Sequence, residues 1–182
     1  VVSTPLHVLL ISGSTRASST NTSALRTVAA TAPDGVEASL YDGLLDLPPF
    51  VPGDQPDPAA VESLHTRIAA ADAVLFCTPE YAGMIPGSLK NLLEWTVGTG
   101  DLNEKPVAWI NVAYEGRGDA AVATLRTVLG YVGAEVVDSA SSRITVMQPM
   151  IGEDGTVADP EVRDRLTAAL TALADHVRHG KY

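Results

Sequence analysis

The chain has 182 residues, 46% of them apolar and 19% charged. That is enough apolar material for one core, and no low-complexity run interrupts it, so one ordinary globular domain over residues 1–182 is expected. A net charge of −10 repels nucleic acid and anionic lipid, so neither is an expected partner. One cysteine, Cys77, rules out an intrachain disulfide and suits a reducing compartment. No apolar segment approaches the ~20 residues of a membrane helix. Val1 to Leu6 lacks the basic start of a secretory leader, and the apolar run after it is too short, so a cytoplasmic protein is expected.

Leu6 to Ser12 reads as a first strand, followed at once by Gly13. A helix begins at Ser19 or Thr20, with Leu25, Val28, Ala29 and Ala32 on one face, and stops at Pro33-Asp34-Gly35. Val36, Ala38 and Leu40 alternate as a second strand near an edge. The connection from Asp42 to Asp57 holds Pro48, Pro49, Pro52 and Pro56, and loops of that length are often functional. Asp57-Pro58 then opens a helix bearing Val61, Leu64, His65 and Ile68.

Ala73 to Cys77 is five apolar residues in a row, the signature of a strand covered on both faces. A loop stiffened by Pro79 and freed by Gly83 leads through Pro86 into a helix carrying Leu89, Leu92, Leu93 and Trp95. Val107 to Ala113 is a fourth strand. Asp119 is expected to cap a helix with Val122, Leu125, Leu129 and Val132 inward, closed by Gly133. Glu135–Val137 and Arg143–Met147 share the fifth strand position. Asp159-Pro160 opens a last helix with Val162, Leu166, Leu170, Leu173 and Val177 on its face. Five alternations of strand and helix with right-handed crossovers make an α/β, doubly wound parallel sheet with helices on both faces. Five strands fit the flavodoxin-like order 2-1-3-4-5, whose switch point lies between strands 1 and 3.

Two loops leave those two strands. The first, Gly13-Ser14-Thr15-Arg16-Ala17-Ser18-Ser19-Thr20-Asn21, supplies hydroxyls, an amide and one guanidinium where a helix begins. Unpaired amides and the helix dipole favour an anion there, and the arginine fork suits phosphate oxygens. The spacing predicts Ser14, Arg16, Ser19 and Asn21 around one pocket. Read alone, the same residues also make an ordinary Ser/Thr-rich turn with Arg16 solvated. GxxxxGK[ST] is absent, which argues against ATP or GTP, and no GxSxG surrounds Ser14. The second loop, Thr78-Pro79-Glu80-Tyr81-Ala82-Gly83-Met84-Ile85-Pro86-Gly87, exposes backbone amides beside small residues.

Together GSxRxxSxN over 13–21 and PEYxxxxPGxLKN over 79–91 resemble the NADPH-dependent FMN reductase family. They stand in the family's order about 60 residues apart, and the resemblance spans roughly Leu6 to Val132. It implies a flavodoxin-like fold, an FMN cofactor, and NADPH or NADH as electron donor. It implies that Ser14, Arg16, Ser19, Thr20 and Asn21 hold the terminal phosphate of FMN, and that Pro79, Glu80, Tyr81, Ala82 and Gly83 meet the isoalloxazine. Position 82 is often Asn in the family; here only backbone contacts remain. Glu80 is expected to cap or brace the loop, since hydride transfer to flavin needs no protein base. Lys90, Asn91 and Glu94 follow the family's pattern, with Glu in place of Asp, for bracing or subunit contact. Relatives pair through this helix region, so a homodimer or homotetramer with Tyr81 and Trp95 at the interface is expected.

A third loop, Tyr114-Glu115-Gly116-Arg117-Gly118-Asp119-Ala120-Ala121, satisfies G-x-G-x-x-A with Glu135 near the acidic position of a dinucleotide fingerprint. It falls too late in the chain for a separate nucleotide fold. In the flavodoxin-like frame Tyr114, Gly116 and Gly118 instead form the third wall of the flavin site, and Arg117 offers a cation to a pyridine-nucleotide phosphate. His176 and His179 have no third ligand nearby, so no metal is expected. The expected activity is hydride transfer from NAD(P)H to FMN and then to a small-molecule electron acceptor (flavin, quinone, azo compound or chromate) by ping-pong. Two other readings are an electron-carrier module without NAD(P)H oxidation and a scaffold that binds no flavin.

Overall fold

The computed structural model describes residues 4–53 and 58–180. Five strands alternate with helices: β1 (Leu6–Ser12), α1 (Thr20–Ala30), β2 (Val36–Leu40), α2 (Ala59–Ala70), β3 (Ala73–Cys77), α3 (Gly87–Trp95), β4 (Pro106–Asn111), α4 (Asp119–Tyr131) and β5 (Glu135–Val136). A sixth, β6 (Ser142–Arg143), precedes α5 (Pro160–His179). All pairings are parallel, in the order β2-β1-β3-β4-β5, with β6 also on β4. The doubly wound flavodoxin-like order expected from the alternation is therefore the observed one.

Strand periodicity divides the apolar residues between two layers. Val8, Leu10, Leu75, Cys77, Ala108 and Ile110 pack on one face with α1 and α5. Leu9, Ile11, Val74, Phe76 and Val107 pack on the other with α2, α3 and α4. Period-2 alternation along a strand covered on both faces requires this split. The fifth position is broken. β5 pairs with Pro106 and Val107, a 3₁₀ turn (Asp138–Ala140) intervenes, and β6 resumes on Ile110 and Asn111.

Helix starts follow local chemistry. Ser19 caps α1, its side chain accepting from the Thr22 amide at 3.4 Å, and Asp159 caps α5 from the Val162 amide. Asp119 does not cap α4; it is the first helical residue. The cap position belongs to Gly118, whose φ of +78° and crowding against Asn111 leave no room for a side chain. Val122 is only half-buried, and Ala121 takes the innermost place in that turn. Pro58 stands at the cap of α2 with no side-chain bond, while Asp57 and Pro56 lie outside the described residues.

The proline-rich connection is fastened to α3. The Asn91 side chain accepts from the Phe50 amide at 2.7 Å and donates to the Pro48 carbonyl at 2.9 Å, and the Trp95 indole donates to that same carbonyl. Phe50 meets Trp95 edge-on at 5.0 Å. Trp95, expected at a subunit contact, is thus buried within its own chain. Lys90 and Glu94 form an i,i+4 ion pair at 2.7 Å. No helix among the described residues is long and apolar enough to cross a membrane.

Candidate functional site

The carboxyl ends of β1, β3 and β4 border a cavity of about 740 Å³, within the range of small-molecule sites. Its walls come from four segments: Thr20 and Asn21 at the start of α1; Thr78 to Glu80 after β3; Val112 to Tyr114, Arg117 and Gly118 after β4; and Val146 to Pro149 after β6. A smaller neighbouring pocket of about 180 Å³ takes Ser14, Thr15, Arg16 and Ala17 on one side and Tyr41, Asp42, Leu44 and Leu45 on the other. The expected phosphate residues are therefore shared between two adjoining spaces. Ser14 and Arg16 border the smaller and Thr20 and Asn21 the larger, while Ser19 is buried as the helix cap and faces neither.

The start of α1 carries unpaired donors. The amides of Ala17, Ser18, Thr20 and Asn21 have no acceptor among the described residues, and no acidic residue stands in the first turn. Arg16 folds back only to the Ser18 carbonyl, at 3.2 Å. The Cys77 thiol donates to the Asn21 side-chain oxygen at 3.3 Å, leaving the amide nitrogen for the cavity. Burial pushes the Cys77 thiol up, so it stays protonated and serves as a donor, not a nucleophile. Gly13 lets the loop lie against β3: a Cβ there would fall 2.2 Å from the Thr78 hydroxyl.

The start of α4 is already filled. Glu80 reaches across to accept from the Ala121 amide at 3.3 Å, and Asp119 contributes a second carboxylate to the first turn. Two carboxylates at that helix end leave no place for a pyrophosphate. The G-x-G-x-x-A match over Gly116, Gly118 and Ala121 is thus a structural turn. Glu80 braces the loop after β3 to α4, the bracing expected of it.

Within the loop after β3, Pro79 and Glu80 line the cavity, while Tyr81, Ala82 and Gly83, also expected at the isoalloxazine, do not. Tyr81 and Met84 exchange backbone bonds of 2.9 and 3.1 Å around Ala82 and Gly83, whose φ values of +51° and +77° make a tight hairpin tip. The Tyr81 amide is consumed there. In the third loop Tyr114 and Gly118 line the cavity and Gly116 does not. Arg143 on β6 binds this loop: one guanidinium nitrogen donates to the Ala113, Tyr114 and Arg117 carbonyls at 3.2, 2.7 and 2.6 Å, and the other pairs with Asp119. The Tyr114 hydroxyl donates to the Met147 sulfur.

Sequence reasoning missed the Val146–Pro149 wall and the clamp by Arg143. The usable signal was that any segment continuing past the fifth strand emerges at the same sheet edge as the two motif loops. No group of three or more potential metal ligands occurs among the described residues.

An open parallel sheet with a polar, anion-accepting helix end beside a cavity at its switch point defines a flavodoxin-like ligand-binding protein. Residues 6–145 match the model of the NADPH-dependent FMN reductase family. The chain is similar to a quinone reductase from Escherichia coli, 32% identical over 99% of this chain and 100% of the relative. It is also similar to an NAD(P)H-dependent FMN reductase from Pseudomonas aeruginosa, 32% identical over 97% and 98%. Among solved structures, the flavoenzyme NAD(P)H:(acceptor) oxidoreductase from Paracoccus denitrificans superposes with a TM-score of 0.81 at 28% identity, covering 95% of this chain and 97% of that one. The chain belongs to the NADPH-dependent FMN reductase family, oxidoreductases that use FMN with a reduced nicotinamide dinucleotide.

Proposed function

We propose that the protein oxidises NAD(P)H and passes the reducing equivalents to a small acceptor of the quinone or flavin type by a ping-pong sequence, with FMN in the cavity between the two motif loops. One observation carries this reading: of the two helix ends beside the cavity, that of α1 has unpaired amides and no acid in its first turn, whereas that of α4 is occupied by Glu80. A dianionic phosphate belongs at the first.

The donor set fits the group. Neutral hydroxyls of Ser14 and Thr20, the Asn21 amide, the free backbone amides and Arg16 match a phosphate; the apolar walls from Pro79, Val112, Val146 and Met147 match a flat ring. When bound, FMN supplies the chemistry, accepting hydride at N5 from the nicotinamide and delivering it to the second substrate. The protein's residues would position it: Pro79 and Glu80 would hold one side, braced through the Ala121 amide, the Arg143-clamped loop another, and Met147 to Pro149 the third. Donor and acceptor would then enter the same cavity in turn.

The test is a titration of apoprotein with FMN and with riboflavin. Arg16→Ala should weaken FMN about tenfold, since a charge-assisted bond at an exposed site is lost, and leave riboflavin nearly unaffected. Equal losses for both ligands would reject the phosphate assignment. FMN binding without NADPH oxidation in the presence of menadione would turn the reading toward a one-electron carrier.

A further inference from the structure

We infer that Arg117 is a specificity-determining residue that receives the 2′-phosphate of the nicotinamide donor and gives this protein a preference for NADPH over NADH. The inference rests on the oxidoreductase reading and goes beyond it by naming the residue that sets the donor: the family's description has NADPH, while two similar proteins carry the notation NAD(P)H.

Arg117 is the one cation among the residues lining the 740 Å³ cavity, and Glu80 is the one carboxylate. Glu80 is turned to the Ala121 amide and makes no ion pair with Arg117 among the described residues. Asp119, next but one in the loop, pairs with Arg143. Glu115, two residues back, is exposed and makes no ion pair with Arg117. The guanidinium of Arg117 has no partner among the described residues.

Its backbone, by contrast, is fixed. The Arg117 amide donates to the Tyr114 carbonyl at 2.9 Å, and its carbonyl accepts from Arg143 at 2.6 Å and from the Asn111 side chain at 3.3 Å. Glycines with φ of +75° and +78° flank it on either side. The pinned backbone roots an exposed, unpaired arginine side chain on the cavity rim. Arg143, close by, is engaged with the loop carbonyls and Asp119, and Arg16 and Arg26 border the smaller pocket instead.

The charge balance of the molecule makes such a cation matter. A 2′-phosphate adds about −1.5 to −2 charge to the dinucleotide at pH 7. A chain of net charge −10 repels the phosphorylated donor more than the unphosphorylated one. Preference for NADPH therefore requires a local positive group to reverse that bias, and the planar guanidinium fork matches phosphate oxygens better than a lysine would.

The experiment uses FMN-loaded protein, wild type, Arg117→Ala and Arg117→Lys. Oxidised protein is titrated calorimetrically with NADP+ and with NAD+, and KM and kcat are measured for NADPH and NADH. Arg117→Ala is expected to weaken NADP+ about thirtyfold and NAD+ by less than about threefold, with the NADPH loss falling on KM, not kcat. Arg117→Lys should restore part of the NADP+ affinity. Parallel losses for both dinucleotides, no loss for either, or an effect confined to the acceptor KM would each overturn the assignment. Apoprotein that fails to bind FMN at all would instead remove the oxidoreductase reading beneath it, a result visible before any dinucleotide is added.

Discussion

Ala82 occupies the left-handed region with φ of +51°, at a hairpin tip where its successor Gly83 is also left-handed. An L-residue with a Cβ pays roughly 1–2 kcal/mol for that conformation, and glycine or asparagine pays much less. Ala82→Gly should therefore raise stability to chemical denaturation by about 1 kcal/mol, read as a shift in the urea midpoint at constant slope. A loss of stability would show that the methyl group makes a compensating contact. The family resemblance had marked position 82 as one where Asn is common, but only the backbone angles explain why. Other features were legible from pattern alone: a helix starting at Ser19 or Thr20, another opened by Asp159-Pro160, and Cys77 at the end of a strand covered on both faces. That Ser19 is spent as the cap and not on the pocket was not legible. Asp119 misled because a carboxylate before an apolar helix looks like a cap, and sequence does not reveal that a left-handed Gly118 already holds that place.

At the scale of elements, the two motif loops were readable because each is a local signature, confined to residues 13–21 and 79–91. The third wall was not. It depends on Arg143 reaching from β6 to carbonyls 26 to 30 residues earlier, and no local pattern encodes that contact. Arg143→Ala should speed amide hydrogen exchange across residues 113–118 while leaving the α1 start unchanged, and lower global stability by about 1–2 kcal/mol. Arg143→Lys should not rescue it, since one ammonium cannot reproduce a guanidinium that serves three carbonyls and a carboxylate. Uniform exchange throughout the molecule in the alanine variant would show that the arginine supports the sheet in general and not the loop. The fifth strand position was readable in outline, as two apolar pieces in one place, and the 3₁₀ turn between them was not.

For the molecule as a whole, strand order followed from the count and alternation of elements, because parallel connections admit few topologies. Binding of a ligand by the native state alone must also register globally. FMN at about a hundred times its dissociation constant should add about 2.7 kcal/mol to the unfolding free energy, which corresponds to roughly 5–10 °C in melting temperature for a chain of this size. Stripping the cofactor should return the lower value, and a melting curve indifferent to FMN would contradict the proposed site.

The interruption in the fifth strand position has one more outcome, which concerns strangers to the molecule. A sheet ends in rows of unsatisfied peptide groups that invite other chains to add on. On one side this sheet ends in two stubs of two residues each, separated by a turn; on the other, β2 is five residues long and carries an exposed Glu37. Neither border offers an unbroken apolar template for intermolecular strand addition, so the architecture that opens a wall for the cavity also guards against aggregation.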